Sequence, residues 1–161
     1  KLEFDSEYPT ETTCKVTIHC KKESCLNFKI RKPSWCKDMI VDGNSVQAEG
    51  YFKVSGRYQD GDEIVFVWPA TLKGHRLNEK VAFTYGAITL ACDTAKSERD
   101  IKAPVVVSDE PAYQVLTPQG DELIRIECDT CDGKVLLTDY QSCGKDWLSE
   151  KNIITVWLNT K

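Results

Sequence analysis

Apolar and polar residues alternate with period two through most of this chain, in short runs closed by Asp-Gly, Gly-Asn and proline turns. That period places every second side chain on the same face of an extended strand, so the chain can bury its apolar half only by building sheets. The runs predict strands over residues 15–19, 26–31, 39–41, 51–58, 63–68, 80–84, 87–91, 105–107, 113–116, 122–128, 134–138 and 153–158. No window carries the period of an amphipathic helix. The expected fold class is all-β, an antiparallel β-sandwich of jelly-roll or immunoglobulin-like layout. The polar segment 93–102, DTAKSERDIK, is the one plausible linker. It divides the chain into a β-sandwich, 1–95, and a β-module, 96–161, which is small for an independent core and therefore expected to pack against the first.

Two stretches stand out within this pattern. EIVFVW (63–68) is apolar on both faces, which suits a central strand. FKIRKPSWC (28–36) opens as a half-buried strand, with Phe28 and Ile30 on one face and Lys29 and Arg31 on the other. It breaks at Pro33, which has no N–H for a ladder, so Trp35 is expected at a rim or corner where its indole N–H finds a partner.

At 161 residues, 41% hydrophobic and 29% charged, the chain is neither disordered nor fibrous. Its net charge of -4 comes without a long like-charge run and without a basic stripe to neutralise phosphates, so nucleic acid is not an expected partner. No apolar stretch is long enough to span a bilayer, and the N-terminal residues lack a signal-peptide core, so no membrane partner is expected. The single methionine, Met39, lies inside a predicted strand, and the expectation is a piece of a longer parent. Of the eight cysteines, Cys14, Cys20, Cys92 and Cys128 fall on apolar strand faces and read as small buried hydrophobes, whereas Cys25, Cys36, Cys131 and Cys143 lie at strand ends and turns. With half the set explained by packing, reduced thiols in a cytoplasmic protein are expected; secretion stays open because the native N-terminus is absent.

Chemical motifs are sparse. Cys128-x-x-Cys131, with Cys143 after it and Cys92 before it, is half of a structural zinc site. The second Cys-x-x-Cys is missing, and His19 and His75 stand far from such a pair, so turn cysteines are the simpler reading and a zinc-stapled interaction domain is an alternative. A glycosidase needs two carboxylates about 5 Å apart for retention or about 6.5–9.5 Å apart for inversion. Asp60, Asp62, Glu63, Asp109, Glu110, Asp129, Asp132 and Asp139 all sit in turns or at strand ends, where the side chain serves the backbone, and spacing selects no pair. Neither a Gly-x-Ser-x-Gly elbow nor a glycine-rich phosphate loop is present. Trp35, Tyr140 and Trp147 are the loop-borne aromatics able to stack on a sugar ring, whereas Trp68 and Trp157 lie in runs that read as core.

Taken in order, Tyr8-Pro9, FKIRKPSW (28–35), VDG (41–43), GYFKVSGRYQDGDEIVF (50–66), VAFTYGAITLACD (81–93) and a closing Asp139-Tyr140, Gly144-Lys145-Asp146-Trp147 and Val156-Trp157-Leu158 resemble the C-terminal β-domains of glycoside hydrolase family 127, the β-L-arabinofuranosidase-like family. The likeness covers most of residues 8–93 and, more thinly, the end; it implies that 1–95 corresponds to the family's middle domain. It also implies a parent with an (α/α)6-barrel catalytic domain, in which a cysteine nucleophile and a zinc held by cysteines and a glutamate all reside. The resemblance therefore implies no catalytic residue, metal or cofactor in this chain, and Cys128 and Cys131 do not correspond to the family's zinc ligands. The expected partners are the catalytic barrel of the same parent and a plant-type oligosaccharide. The expected role is a non-catalytic β-sandwich portion that supports or flanks the barrel, the alternative being an autonomous carbohydrate-binding module. In that frame Arg31-x-Pro33-x-Trp35 is a rim element, with Arg31 held by a carboxylate such as Asp62 and Trp35 packed at the sandwich end or against the barrel. Arg31, Trp35, Tyr140 and Trp147 are the carbohydrate or domain-interface candidates.

Overall fold

The computed structural model describes residues 1–97, 99–100, 103–105, 107–108, 110–145 and 152–160. The chain is antiparallel β throughout and divides into two compact units, Lys1–Ala70 and Thr71–Lys161, each with its own core.

The first unit contains β1 (Leu2–Asp5), β2 (Thr13–Ile18), β3 (Ser24–Arg31), β4 (Met39–Val41), β5 (Asn44–Val46), β6 (Tyr51–Tyr58) and β7 (Glu63–Val67). A five-stranded sheet in the order β1-β2-β7-β4-β5 faces a two-stranded ribbon, β3-β6. The doubly apolar run is the central strand β7, with Ile64 and Phe66 buried and Val65 and Val67 half-buried. Cys14, Val16 and Ile18 of β2, Met39 of β4 and Val54 of β6 complete the core, against which Leu26, Phe28 and Ile30 of β3 pack. This is a sandwich: alternation sends one face of each sheet inward. Burying each large side chain such as Phe66 or Ile18 contributes roughly 1.5–3 kcal/mol. The Asp42-Gly43 turn joins β4 to β5 with both residues at positive φ (48° and 78°), the type I′ geometry that matches strand twist.

The second unit contains β8 (Leu72–Leu77), β9 (Lys80–Tyr85), β10 (Ile88–Asp93), β11 (Tyr113–Leu116), β12 (Arg125–Thr130), β13 (Gly133–Asp139), a 3-10 turn at Tyr140–Ser142, β14 (Ile154–Thr155) and β15 (Leu158–Asn159). The sheet order is β11-β12-β13-β10-β9-β15, with β8 beside β9 and β14 beside β10. Phe83, Leu90, Cys92, Ile126, Cys128, Val135, Leu137 and Leu158 form its core.

Several elements differ from the sequence pattern. Strands β1, β5 and β8 had no strong signal. Residues 105 and 107 are buried but not in a strand; the Val105 N–H instead donates to the Asn159 carbonyl at 2.7 Å. The run 153–158 breaks at a bend between β14 and β15, leaving Trp157 40% exposed rather than in the core. Contacts divide the chain well ahead of the 95/96 boundary that the polar segment suggests. Strand β10, on the near side of that segment, hydrogen-bonds to β13 on its far side (Leu90 to Asp139, Ala91 to Thr138). The polar residues of this stretch are used within the second unit, where Asp93 caps Ala95 and Gly144 and Lys96 and Arg99 pair with Glu122 and Asp132, so its polarity marks no boundary.

Candidate functional site

The ladder between β3 and β6 ends at the Arg31–Tyr51 pair. Beyond it Lys32 donates its N–H to the Gly50 carbonyl at 2.9 Å, and Cys36 donates to the Pro33 carbonyl at 3.1 Å, so the proline starts a tight turn as its missing donor requires. Trp68, next to the central strand, donates its indole N–H to the Arg31 carbonyl at 3.1 Å and stacks on Phe66 with centroids 6.3 Å apart. The rim is thus tied to the core through a second tryptophan.

Beside it lies a groove of about 380 Å³ lined by Arg31, Lys32, Pro33, Ser34, Ala48, Glu49, Gly50 and Tyr51. Trp35 is not among its lining residues: it is half-buried and packs against the core of the first unit. The exposed ring at this rim is Tyr51, 59% exposed and directly opposite Arg31. Asp62 does not hold Arg31; its carboxylate accepts from the Gln59 N–H at 2.7 Å, and the Arg31 side chain is exposed. Asp62 closes its own turn because a short side chain at a strand start reaches a backbone donor at low entropic cost.

Tyr140 belongs to the second unit, 58% exposed on the 3-10 turn. Its neighbour Asp139 is almost fully buried; one oxygen accepts from the Leu123 N–H at 2.8 Å, the other from the Ser142 N–H at 2.9 Å. Nearby Asp93 caps Ala95 and Gly144 (2.8 and 3.1 Å). Glu122, its side chain 1% exposed, lies 3.1 Å from Lys96 and 3.3 Å from Arg125 and accepts the Gln119 N–H at 2.9 Å. Every buried carboxylate here is partnered, as burial demands. Trp147 lies outside the described residues. Arg31 and Trp35 therefore share one rim of the first unit, and Tyr140 sits in the second.

The turn carboxylates likewise serve backbone geometry. Asp60 accepts from the Cys20 N–H at 3.0 Å, and Asp132 accepts from the Thr130 hydroxyl at 2.9 Å and pairs with Arg99 at 3.0 Å. Thr130 and Arg99 hold the Asp132 carboxyl below the usual range. His19 is exposed between Glu3 (3.1 Å) and Asp60 (3.8 Å), and His75 meets the Thr84 hydroxyl at 2.9 Å. Cys128 points into the core, where burial pushes its thiol up to about 12, while Cys131 is exposed at the β12–β13 hairpin tip. The pair is split between two environments, and among the described residues no three His, Cys, Asp or Glu side chains gather as a metal site. Burial also raises Cys92 to about 11 and lifts Cys143 above its ordinary value. Thiols held that high stay protonated near neutral pH and are weak nucleophiles.

Tyr51, Asp93 and Glu122 were missed by sequence reasoning, whereas Asp139 was read as a strand-end carboxylate that serves the backbone, which it does. Tyr51 becomes prominent only through its register with Arg31, and Glu122 looks like an ordinary strand residue until Lys96 and Arg125 are placed on it.

Residues 1–70 match the family model described as "Beta-L-arabinofuranosidase, GH127 middle domain". Among solved structures, a GH127 β-L-arabinofuranosidase from Geobacillus stearothermophilus T6 superposes with TM-score 0.77 at 15% identity, over 99% of this chain and 30% of that one. The GH127 β-arabinofuranosidase BT3674 (TM-score 0.75, 16% identity, 99% and 31%) and another glycoside hydrolase (0.75, 17%, 99% and 32%) share the fold to the same extent. The chain thus spans 30–32% of the length of these structures. No curated protein sequence matches it. The matched segment coincides with the first compact unit, Lys1–Ala70, and that unit is a GH127 middle-domain region.

Proposed function

We propose that this chain is the non-catalytic β-sandwich portion of a glycoside hydrolase of the β-L-arabinofuranosidase type, supporting or flanking a catalytic barrel carried elsewhere in a longer parent. The observation that carries this reading is the coincidence of the family-model segment, residues 1–70, with a structural unit that has its own core. The side chains agree with it. Asp62 and Asp139 are committed to backbone donors and Glu122 to cations, and burial raises Cys92, Cys128 and Cys143 above the ordinary thiol value. Such a region contributes shape and stability rather than bond cleavage.

The test follows amide shifts of the protein and anomeric signals of arabinofuranosyl oligosaccharides in one NMR titration. Unchanged anomeric signals are expected. New anomeric products that persist through repurification of the chain would overturn the reading.

A further inference from the structure

The β3–β6 ribbon turns its apolar residues inward, so its outer face is set by the other half of each strand. The register pairs Arg31 with Tyr51, Lys29 with Lys53, Asn27 with Ser55 and Cys25 with Arg57, and every one of these side chains is exposed. Cations that lie apart in the sequence thus converge on one face of a chain whose net charge is -4. Lys29 and Lys53 stand directly opposite each other, at about 5 Å between Cβ atoms, a like-charge juxtaposition that disfavours the ribbon. Among the described residues neither lysine, nor Arg31, has an acidic partner; Arg57 has Glu23 at 4.0 Å. In the gap between the cation rows, the Ser55 hydroxyl meets the Asn27 side-chain carbonyl at 3.4 Å. Tyr51 closes the row with 59% of its surface exposed.

We infer that this face binds an anionic oligosaccharide of the uronate class. The rows recur about every 7 Å along the strands, so Arg57 to Arg31 spans about 20 Å, the reach of a short oligosaccharide. A uronate offers a carboxylate, ring hydroxyls and a ring face; the ribbon presents lysine and arginine for the first, Asn27 and Ser55 for the second and Tyr51 for the third. An acidic protein surface would satisfy the charges but leave the aromatic ring without a role. The inference does not rest on the hydrolase reading, which stands or falls on turnover, whereas this one concerns binding alone.

The 161-residue chain is titrated with trigalacturonate, with neutral arabinotriose, polyglutamate and a single-stranded oligonucleotide as comparators. Saturable amide shifts confined to β3 and β6 are expected at millimolar trigalacturonate. They are expected to weaken roughly tenfold in the double variant Lys29→Gln/Lys53→Gln, as befits lost charge-assisted contacts. That variant should melt no lower than the parent chain, because it removes a repulsion. Absence of shifts on the ribbon would overturn the inference. So would equal binding of arabinotriose, or binding of polyglutamate or the oligonucleotide as tight as that of trigalacturonate.

Discussion

Single buried groups in the second unit carry consequences out of proportion to their size. Asp139 satisfies the Leu123 and Ser142 N–H groups at once, so Asp139→Ala leaves two donors without partners and is expected to lower stability by about 2–4 kcal/mol in urea unfolding, with Asp139→Asn losing less. Cys128 and Cys92, raised to about 12 and about 11 by burial, act through pH. An unfolded thiol ionises near about 8.5. Above that pH the unfolded chain has lost protons that the folded chain keeps, so stability falls as pH rises; below it the contribution is intact. The urea midpoint should therefore decline from about pH 8.5 upward, and Cys128→Val should flatten that decline by at most about 1.4 kcal/mol per pH unit. The packing role of these cysteines was legible, since strand alternation alone puts them with Ile88, Leu90, Ile124 and Ile126. That Asp139 serves the backbone was legible from its place at a strand end; its donor Leu123 was not, because it lies just before the facing strand and nothing in the local sequence announces that pairing.

Elements were legible where alternation and turn chemistry agreed. The Asp42-Gly43 turn is the strongest case. A Cβ at Gly43 would meet nothing within 4 Å, so Gly43→Ala isolates the backbone effect of φ 78° and is expected to cost about 1 kcal/mol by thermal unfolding. The strands that escaped were those defined by their neighbours. Strand β8, LKGHRL, holds one glycine and three charged or imidazole side chains, and is extended because β9 pairs with it along its whole length. Strand β1 is a short edge with Phe4 exposed, visible only through its register with β2. The rim at Pro33 was read correctly as the end of pairing. Which aromatic ring faces outward depended on the β3–β6 register: Trp35 turned in, and Tyr51 was left out.

At the level of the whole chain, the polar segment after Asp93 looked like a boundary and is a crossover within one sheet. Fragments decide the point. Residues 1–70 and 71–161, produced separately, are each expected to give dispersed amide spectra. Residues 96–161 should not, because β13 and β14 lose β10, and β15 loses β9, as neighbours. The all-β class was legible because period two leaves a chain no other way to bury its apolar half; the division into units was not, because the polar residues after Asp93 serve partners within the second unit rather than a linker. The ribbon has a further consequence. Among the described residues each of its two strands has one edge with no neighbouring strand, which leaves backbone donors and acceptors available to a second copy. What stands in the way is the like charge of Lys29, Lys53 and Arg31. As the Debye length shrinks from about 10 Å at 0.1 M salt to about 3 Å at 1 M, that mutual repulsion collapses. The edges that this repulsion guards in dilute buffer are then open, in brine, to pairing between copies.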